Sequence, residues 1–207
     1  MIPSHGPADS ARRAVRAQQQ RQTGINLIIL LGLGAAASML AMEGLFPVDL
    51  TIPGPGRFAI ETAGYVLLFD AYFYVLHRLL HTPLAFRRVH AVHHRAREVD
   101  VWSTIAMHPL EFLLLVGFVP VTMFLLPVHL VSVLVVSLFL SASIALAHSG
   151  RQVFPRHWER TPLVNLYLTP RIHEAHHVRL NCNYGGTVTI FDRLFGTLGT
   201  SPEIQAQ

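Results

Sequence analysis

The sequence predicts an all-α integral membrane protein, with four transmembrane helices and an inner-side helical cap. Three observations lead there. Of the 207 residues, 51% are hydrophobic and only 14% are charged, and mean hydropathy is +0.41; this is too apolar for an ordinary soluble domain. The apolar residues gather into runs that match or exceed the roughly 20 residues a helix needs to cross a bilayer. The sixteen basic residues, all arginine, sort by side once those runs are threaded through a membrane.

Residues 1–24 hold Arg12, Arg13, Arg16, Arg21 and a glutamine run, and read as a flexible polar N-terminal tail ending in a short amphipathic piece. Residues 25–207 read as a single membrane-embedded domain. Ile25–Phe46 is the first span. The polar stretch before it is long for a cleaved signal, so the span is expected to be retained. "PVDLTIPGPG" is a turn-rich loop, and Phe58–Leu80 is the second span. Leu110–Ala147 is almost wholly apolar. As one helix it would be about 57 Å long, enough for two spans, and Pro127 is the natural turn between them. The pair Ser137 and Ser141 on the fourth span is expected to allow close helix packing. Phe154–Pro170 mixes apolar residues, Trp158 and arginines, as an interfacial helix of the cap would.

With the N-terminus inside, four spans put fifteen arginines in the inner segments or at the helix ends flanking them, and only Arg57 outside. This is the positive-inside pattern, and it puts both termini on the cytoplasmic side. The net charge of +4 therefore reads as topology. Nucleic acid is not an expected partner, because no basic stripe with interleaved aromatics is present.

Histidine is the anomaly: there are thirteen, twelve of them between His77 and His177. Asp70, Tyr74, His77 and His81 fall on one stripe of the second span, where charged and polar groups should face the protein interior. His90, His93 and His94 follow as HxxHH, and "HEAHH" repeats that spacing at His173, His176 and His177. His148 ends the fourth span and His108 begins the third. Under the four-span reading these ten histidines converge on the inner side, so the cap carries a histidine-rich di-metal site. Two ions at four or five imidazoles each would use the set, and iron, zinc, copper and nickel all suit neutral imidazole. His5 falls to the tail, His129 to the outer turn and His157 to the interface. The single cysteine, Cys182, excludes an intrachain disulfide and a thiolate cluster, and reads as structural.

"HRLLH", "HAVHH", "HPLE", "HSG", "HEAHH", "NYGG" and "FDRLFGT", in that order from about Asp70 to Thr197, resemble the fatty acid hydroxylase/sterol desaturase superfamily. The resemblance implies a membrane non-haem di-iron enzyme that uses O₂ and two external electrons to hydroxylate or desaturate a lipid. Its motifs map the iron ligands onto His77, His81, His90, His93, His94, His148, His173, His176 and His177, with His108 as a tenth. Where some relatives carry one more histidine before His148, this chain has Ile144.

Asp70 and Glu111 are expected to orient ligand imidazoles, and Tyr184 and Gly185 to shape a turn beside His177. Arg179 and Arg193 are candidates for meeting an electron carrier or anionic headgroups. No nucleotide-binding glycine motif is present, so electrons are expected from a separate protein. Two classes compete with a lipid oxidoreductase. A divalent-metal transporter should bind near the bilayer midplane in repeated halves. A pH-sensing scaffold gives no reason for two equally spaced HxxHH groups. Among enzymes, a carotenoid hydroxylase uses similar histidine boxes.

Overall fold

A computed structural model describes residues 7–95, 104–155, 157–158 and 161–199. Helix α1 is Pro7–Met42 and α2 is Pro55–Leu80. A short helical segment follows: α3 (Pro83–Ala85), a π-helical turn (Phe86–His90) and α4 (Ala91–His94). Then come α5 (Pro109–Leu125), α6 (Leu130–Ala147), α7 (Pro162–Leu166), α8 (Pro170–Arg179) and α9 (Ile190–Leu194). Among the described residues there is no strand; two isolated bridges, Asp49 with His129 and Tyr167 with Val188, pin chain segments together.

Proline punctuates the chain. It occupies the first turn of α2, α3, α5, α7 and α8, where its missing N–H is no loss and its fixed φ suits the helix. The same residue interrupts the interfacial helix expected over Phe154–Pro170: among the described residues there, the α-helical ones are the five of α7, between Pro155 and Pro170. The N-terminal segment also differs from expectation. It is helical from Pro7 and runs into the first span without a break, as its run of Ala, Arg and Gln, all strong helix formers, allows. Gly44, at φ +69°, ends α1. The Leu45 amide reaches Leu40 O at 2.8 Å and the Gly44 amide reaches Ala41 O at 3.1 Å, a Schellman cap.

Among the described residues, three helices are long and apolar enough to cross a membrane: Arg13–Met42, Pro55–Leu80 and Leu130–Ala147. Helix α5 is equally apolar but has 17 residues, about 26 Å, slightly short of a bilayer core of about 30 Å. Outward side chains are large and apolar: Leu31 is 72% exposed and Leu138 73%. A face of that kind suits lipid better than water.

Helix α2 is central. Its Tyr65 and Phe69 pack with Phe118 and Met123 of α5 and with Val133, Val136 and Leu140 of α6. Both Tyr65 and Phe69 meet Phe118 edge-on at 5.3 Å. At the end of α2 away from His77, buried Glu61 accepts from Arg57 (2.6 Å), Ser132 (2.7 Å) and His129 (2.8 Å). That network ties α2 to the start of α6 and satisfies Arg57, the arginine that departs from the sidedness pattern. His5, Arg97, Arg156 and Arg160 lie outside the described residues.

Helix α1 packs along α5 and is pinned by one polar residue. Asn26 is fully buried, and its Nδ2 donates to Ile105 O (2.7 Å) and Met107 O (3.0 Å). Asn26→Ala leaves both carbonyls without that donor, and each unsatisfied buried group costs about 1–3 kcal/mol. The expected outcome is a lower midpoint of thermal unfolding in detergent with unchanged helix content; an unchanged midpoint would mean the two bonds contribute nothing.

Candidate metal centre

The histidines gather into two groups. His77, His81, His90, His94 and His176 form one; His93, His148, His173 and His177 form the other. In each group one ring nitrogen per residue lies within 4.8 Å of all the others. The division follows from helix geometry. At 100° per residue, positions i and i+4 point within 40° of each other, while i+3 turns away to the other side. HAVHH therefore gives His90 and His94 to the first group and His93 to the second. HEAHH does the converse, giving His173 and His177 to the second group and His176 to the first. Each group needs both helices.

Four main-chain or carboxylate acceptors orient the rings. The Nδ1 of His77 donates to Tyr184 O at 3.0 Å, that of His176 to Cys182 O at 2.7 Å, and that of His148 to Ile144 O at 2.9 Å. His90 Nδ1 donates to Glu111 Oε1 at 2.8 Å. With the proton on Nδ1, Nε2 carries only a lone pair. Yet His77 Nε2 and His90 Nε2 stand 3.2 Å apart, so neither can donate to the other. Further Nε2 pairs lie at 3.1 Å (His81–His90), 3.0 Å (His90–His94), 3.0 Å (His148–His173) and 3.1 Å (His173–His177). His176 Nε2 is buried with no hydrogen-bond partner. Metal–imidazole bonds of about 2.0–2.1 Å place neighbouring ligand nitrogens about 2.9–3.4 Å apart. The residues present therefore fit a metal ion in each group.

Burial first, and neighbouring imidazoles second, disfavour the charged form of six of these rings. His81 and His176 are pushed down to about 3 and His177 to about 2; His93, His94 and His173 are lowered as well. Neutral imidazole is the ligating form.

The orienting residues differ partly from expectation. Glu111 meets His90. Asp70 touches no imidazole: it accepts from the amides of Gly186 (3.0 Å), Thr187 (2.7 Å) and Val188 (3.3 Å) and from the Thr187 hydroxyl. Asp192, which sequence reasoning passed over, takes the preceding amides, Tyr184 and Gly185, at 2.8 Å each. Two buried carboxyl groups thus grip five successive amides and hold Tyr184 O against His77. The glycines of "NYGG" are needed for that closeness. A Cβ on Gly185 would sit 2.5 Å from Val188 O, and one on Gly186 3.0 Å from the Phe73 ring. The Tyr184 ring lies beside His77, His81 and His176 rather than beside His177.

His108 joins neither group: its Nδ1 accepts the Leu110 amide at 3.1 Å, capping α5. His129 sits at the start of α6 with Glu61, and His157 is exposed beside Trp158. Arg193 is committed to Asn165 and Thr189, joining α9 to α7. Cys182 is buried and unbridged, and its carbonyl holds His176.

Two outcomes follow. Because partners behind a ligand typically change metal affinity about 10–100-fold, Glu111→Gln and Asp70→Asn should each weaken metal binding by that order, read by competition with a chelator, with helix content retained. The histidine shifts also set a pH dependence. Unfolded, each histidine gains its proton near 6.5; folded, His81 and His176 resist it until about 3. The unfolded state binds more protons in that window, so stability falls as pH drops through it. The thermal midpoint of metal-free protein should decline steadily from pH 6.5 toward pH 3, where a flat profile would contradict the buried neutral rings.

A family model described as fatty acid hydroxylase matches residues 62–197. The Delta(7)-sterol 5(6)-desaturase of Eremothecium gossypii is 31% identical over 152 residues, 72% of this chain and 40% of that protein. The Delta(7)-sterol 5(6)-desaturase of Saccharomyces cerevisiae is 28% identical over 150 residues, 72% of this chain and 39% of its own length. Methylsterol monooxygenase 1 of Gallus gallus is 33% identical over 138 residues, 65% of this chain and 44% of its own. The chain spans about two fifths of the length of these relatives. No solved structure matches it. With the family model covering well over half of its residues, the chain belongs to the fatty acid hydroxylase family.

Proposed function

We propose that the protein is a membrane oxidoreductase that hydroxylates or desaturates a lipid, using O₂ and external electrons at a pair of iron ions held by nine histidines. The carrying observation is the convergence of imidazole nitrogens, 3.0–3.2 Å apart within each group. His77, His81, His90, His94 and His176 would hold one iron, and His93, His148, His173 and His177 the other. Bound iron would supply the oxidising power that unactivated C–H bonds require and side chains lack.

The chain's own contributions are positional. Tyr184 O, Cys182 O, Ile144 O and Glu111 fix ring orientation. Leu80, Met107 and Leu115, which line a small cavity against the histidines, keep water away. The relatives' names make a sterol-like lipid the first substrate to try.

In this reading α5 also crosses the bilayer, as the third of four spans. The histidine ends of α2 and α6, with both termini, lie on the cytoplasmic side, as the arginine distribution supports. A separate protein would deliver electrons there. Transport fits less well, because the ligand groups sit at helix ends rather than at the middle of the spans.

The division into two groups gives a sharp test. Expressed with iron and purified anaerobically, the protein should bind two irons per chain. His94→Ala should weaken one site and His177→Ala the other, each leaving about one iron, and either variant should abolish O₂-dependent conversion of an added sterol. Full retention of both irons in both variants would overturn the ligand assignment.

A further inference from the structure

An apolar chamber of about 1090 Å³ lies between α1, α5 and α6, at the upper end of the roughly 300–1,000 Å³ usual for small-molecule sites. Small residues leave the space: Gly34, Ala37, Ser38 and Ala41 on α1, and Ser137 and Ser141 on α6. The two serines thus line a void instead of permitting the close packing expected of them. The α1 wall belongs to a helix outside the residues matched by the family model.

A second, much smaller cavity of about 40 Å³ lies directly against His77, His90, His93, His148 and His173. A water needs about 10–15 Å³ by the same kind of measure, so this one has room for a diatomic molecule and the edge of a substrate. Three residues line both spaces: Thr104, Leu115 and Ile144.

Their positions tie this constriction to the metal ligands. Ile144 stands one turn before His148, and its carbonyl holds that ring. Leu115 stands one turn after Glu111, which holds His90. The Thr104 hydroxyl is buried without a hydrogen-bond partner, and the next residue, Ile105, is held by Asn26 of α1. Side chains so registered set the distance between the chamber and the histidines.

We propose that a membrane lipid lodges its apolar body in the α1–α5–α6 chamber, and that Ile144, with Leu115 and Thr104, is the specificity-determining constriction deciding which carbon reaches the histidine cavity. The proposal rests on the lipid-oxidation reading. Its occupant is a bilayer lipid because the chamber is apolar, is walled by two membrane-spanning helices together with α5, and adjoins the ligand groups. The unpartnered Thr104 hydroxyl is placed to accept or donate one hydrogen bond to a polar group on that lipid.

The test uses the full chain in phosphatidylcholine nanodiscs, metal-free and without O₂, with a diazirine-bearing sterol as photoprobe and adducts mapped by mass spectrometry. Wild-type protein should be labelled on chamber residues of α1 and α5 and on Phe73 or Leu76 beside the histidines. Ile144→Trp should keep the chamber adducts and lose the histidine-side adducts about tenfold or more, the order by which misfit in an apolar pocket discriminates. Ile144→Leu should retain the wild-type pattern, which controls for folding. Ala37→Trp should fill the chamber and reduce both sets. Labelling confined to the outer faces of the helices, or an unchanged pattern in Ile144→Trp, would overturn the proposal. Iron stoichiometry on the same proteins after anaerobic loading with ferrous iron separates the two readings: wild-type protein that binds no iron overturns the oxidoreductase assignment, whereas two bound irons with no chamber labelling overturn only the lipid route.

Discussion

Nine imidazole nitrogens aimed at two points inside one protein constrain everything around them. Where Nδ1 donates to a carbonyl or carboxylate, Nε2 presents only a lone pair, and two lone pairs at about 3 Å repel unless a cation stands between them. Burial, and the repulsion a second imidazolium nearby would add, oppose relief by protonation at His81, His93, His94, His173, His176 and His177. Metal binding and the architecture of this end of the molecule are therefore one problem. Each site draws from both HxxHH helices, so α4 and α8 must be held at a fixed separation before either site is complete.

The fold meets that requirement with buried polar anchors rather than with the histidines alone. Between them, Asp70 and Asp192 capture the amides of residues 184–188, which presents Tyr184 O to His77. Glu111 fixes His90, and Cys182 O fixes His176. At the other end, Glu61 binds α2 to α6 through Arg57, His129 and Ser132. Between those ends the bundle is apolar, and α2 packs aromatic rings against α5. Polar groups at both ends set register, while the apolar middle supplies bulk burial.

Much of this was legible in the sequence, for physical reasons that can be named. The limits of α2 and α6 follow from hydropathy and from proline and histidine at their ends. Eight of the nine histidines stand in repeated spacings, His148 follows from the family resemblance, and the division into two groups could have been read from the 40° offset between i and i+4. Other features carried no local signal. Asn26 looks like one polar residue at the edge of a span until Ile105 and Met107 are seen beside it. Asp192 sits in an ordinary short helix, and its role depends on a loop eight residues earlier. His108 shares the chemistry of a ligand, but its neighbour Pro109 starts a helix that needs a cap. Ser137 and Ser141 were read as packing residues because sequence cannot tell a contact from a void. The interfacial helix over Phe154–Pro170 gave way to prolines.

The central claim is that two buried, all-imidazole sites hold iron. Iron K-edge X-ray absorption on the full chain, loaded anaerobically with ferrous iron, tests it most directly. The account requires a first shell dominated by nitrogen, with the outer-shell scattering typical of imidazole rings, accounting for two irons per chain. A first shell of water and carboxylate oxygen, or one containing sulfur, would contradict it.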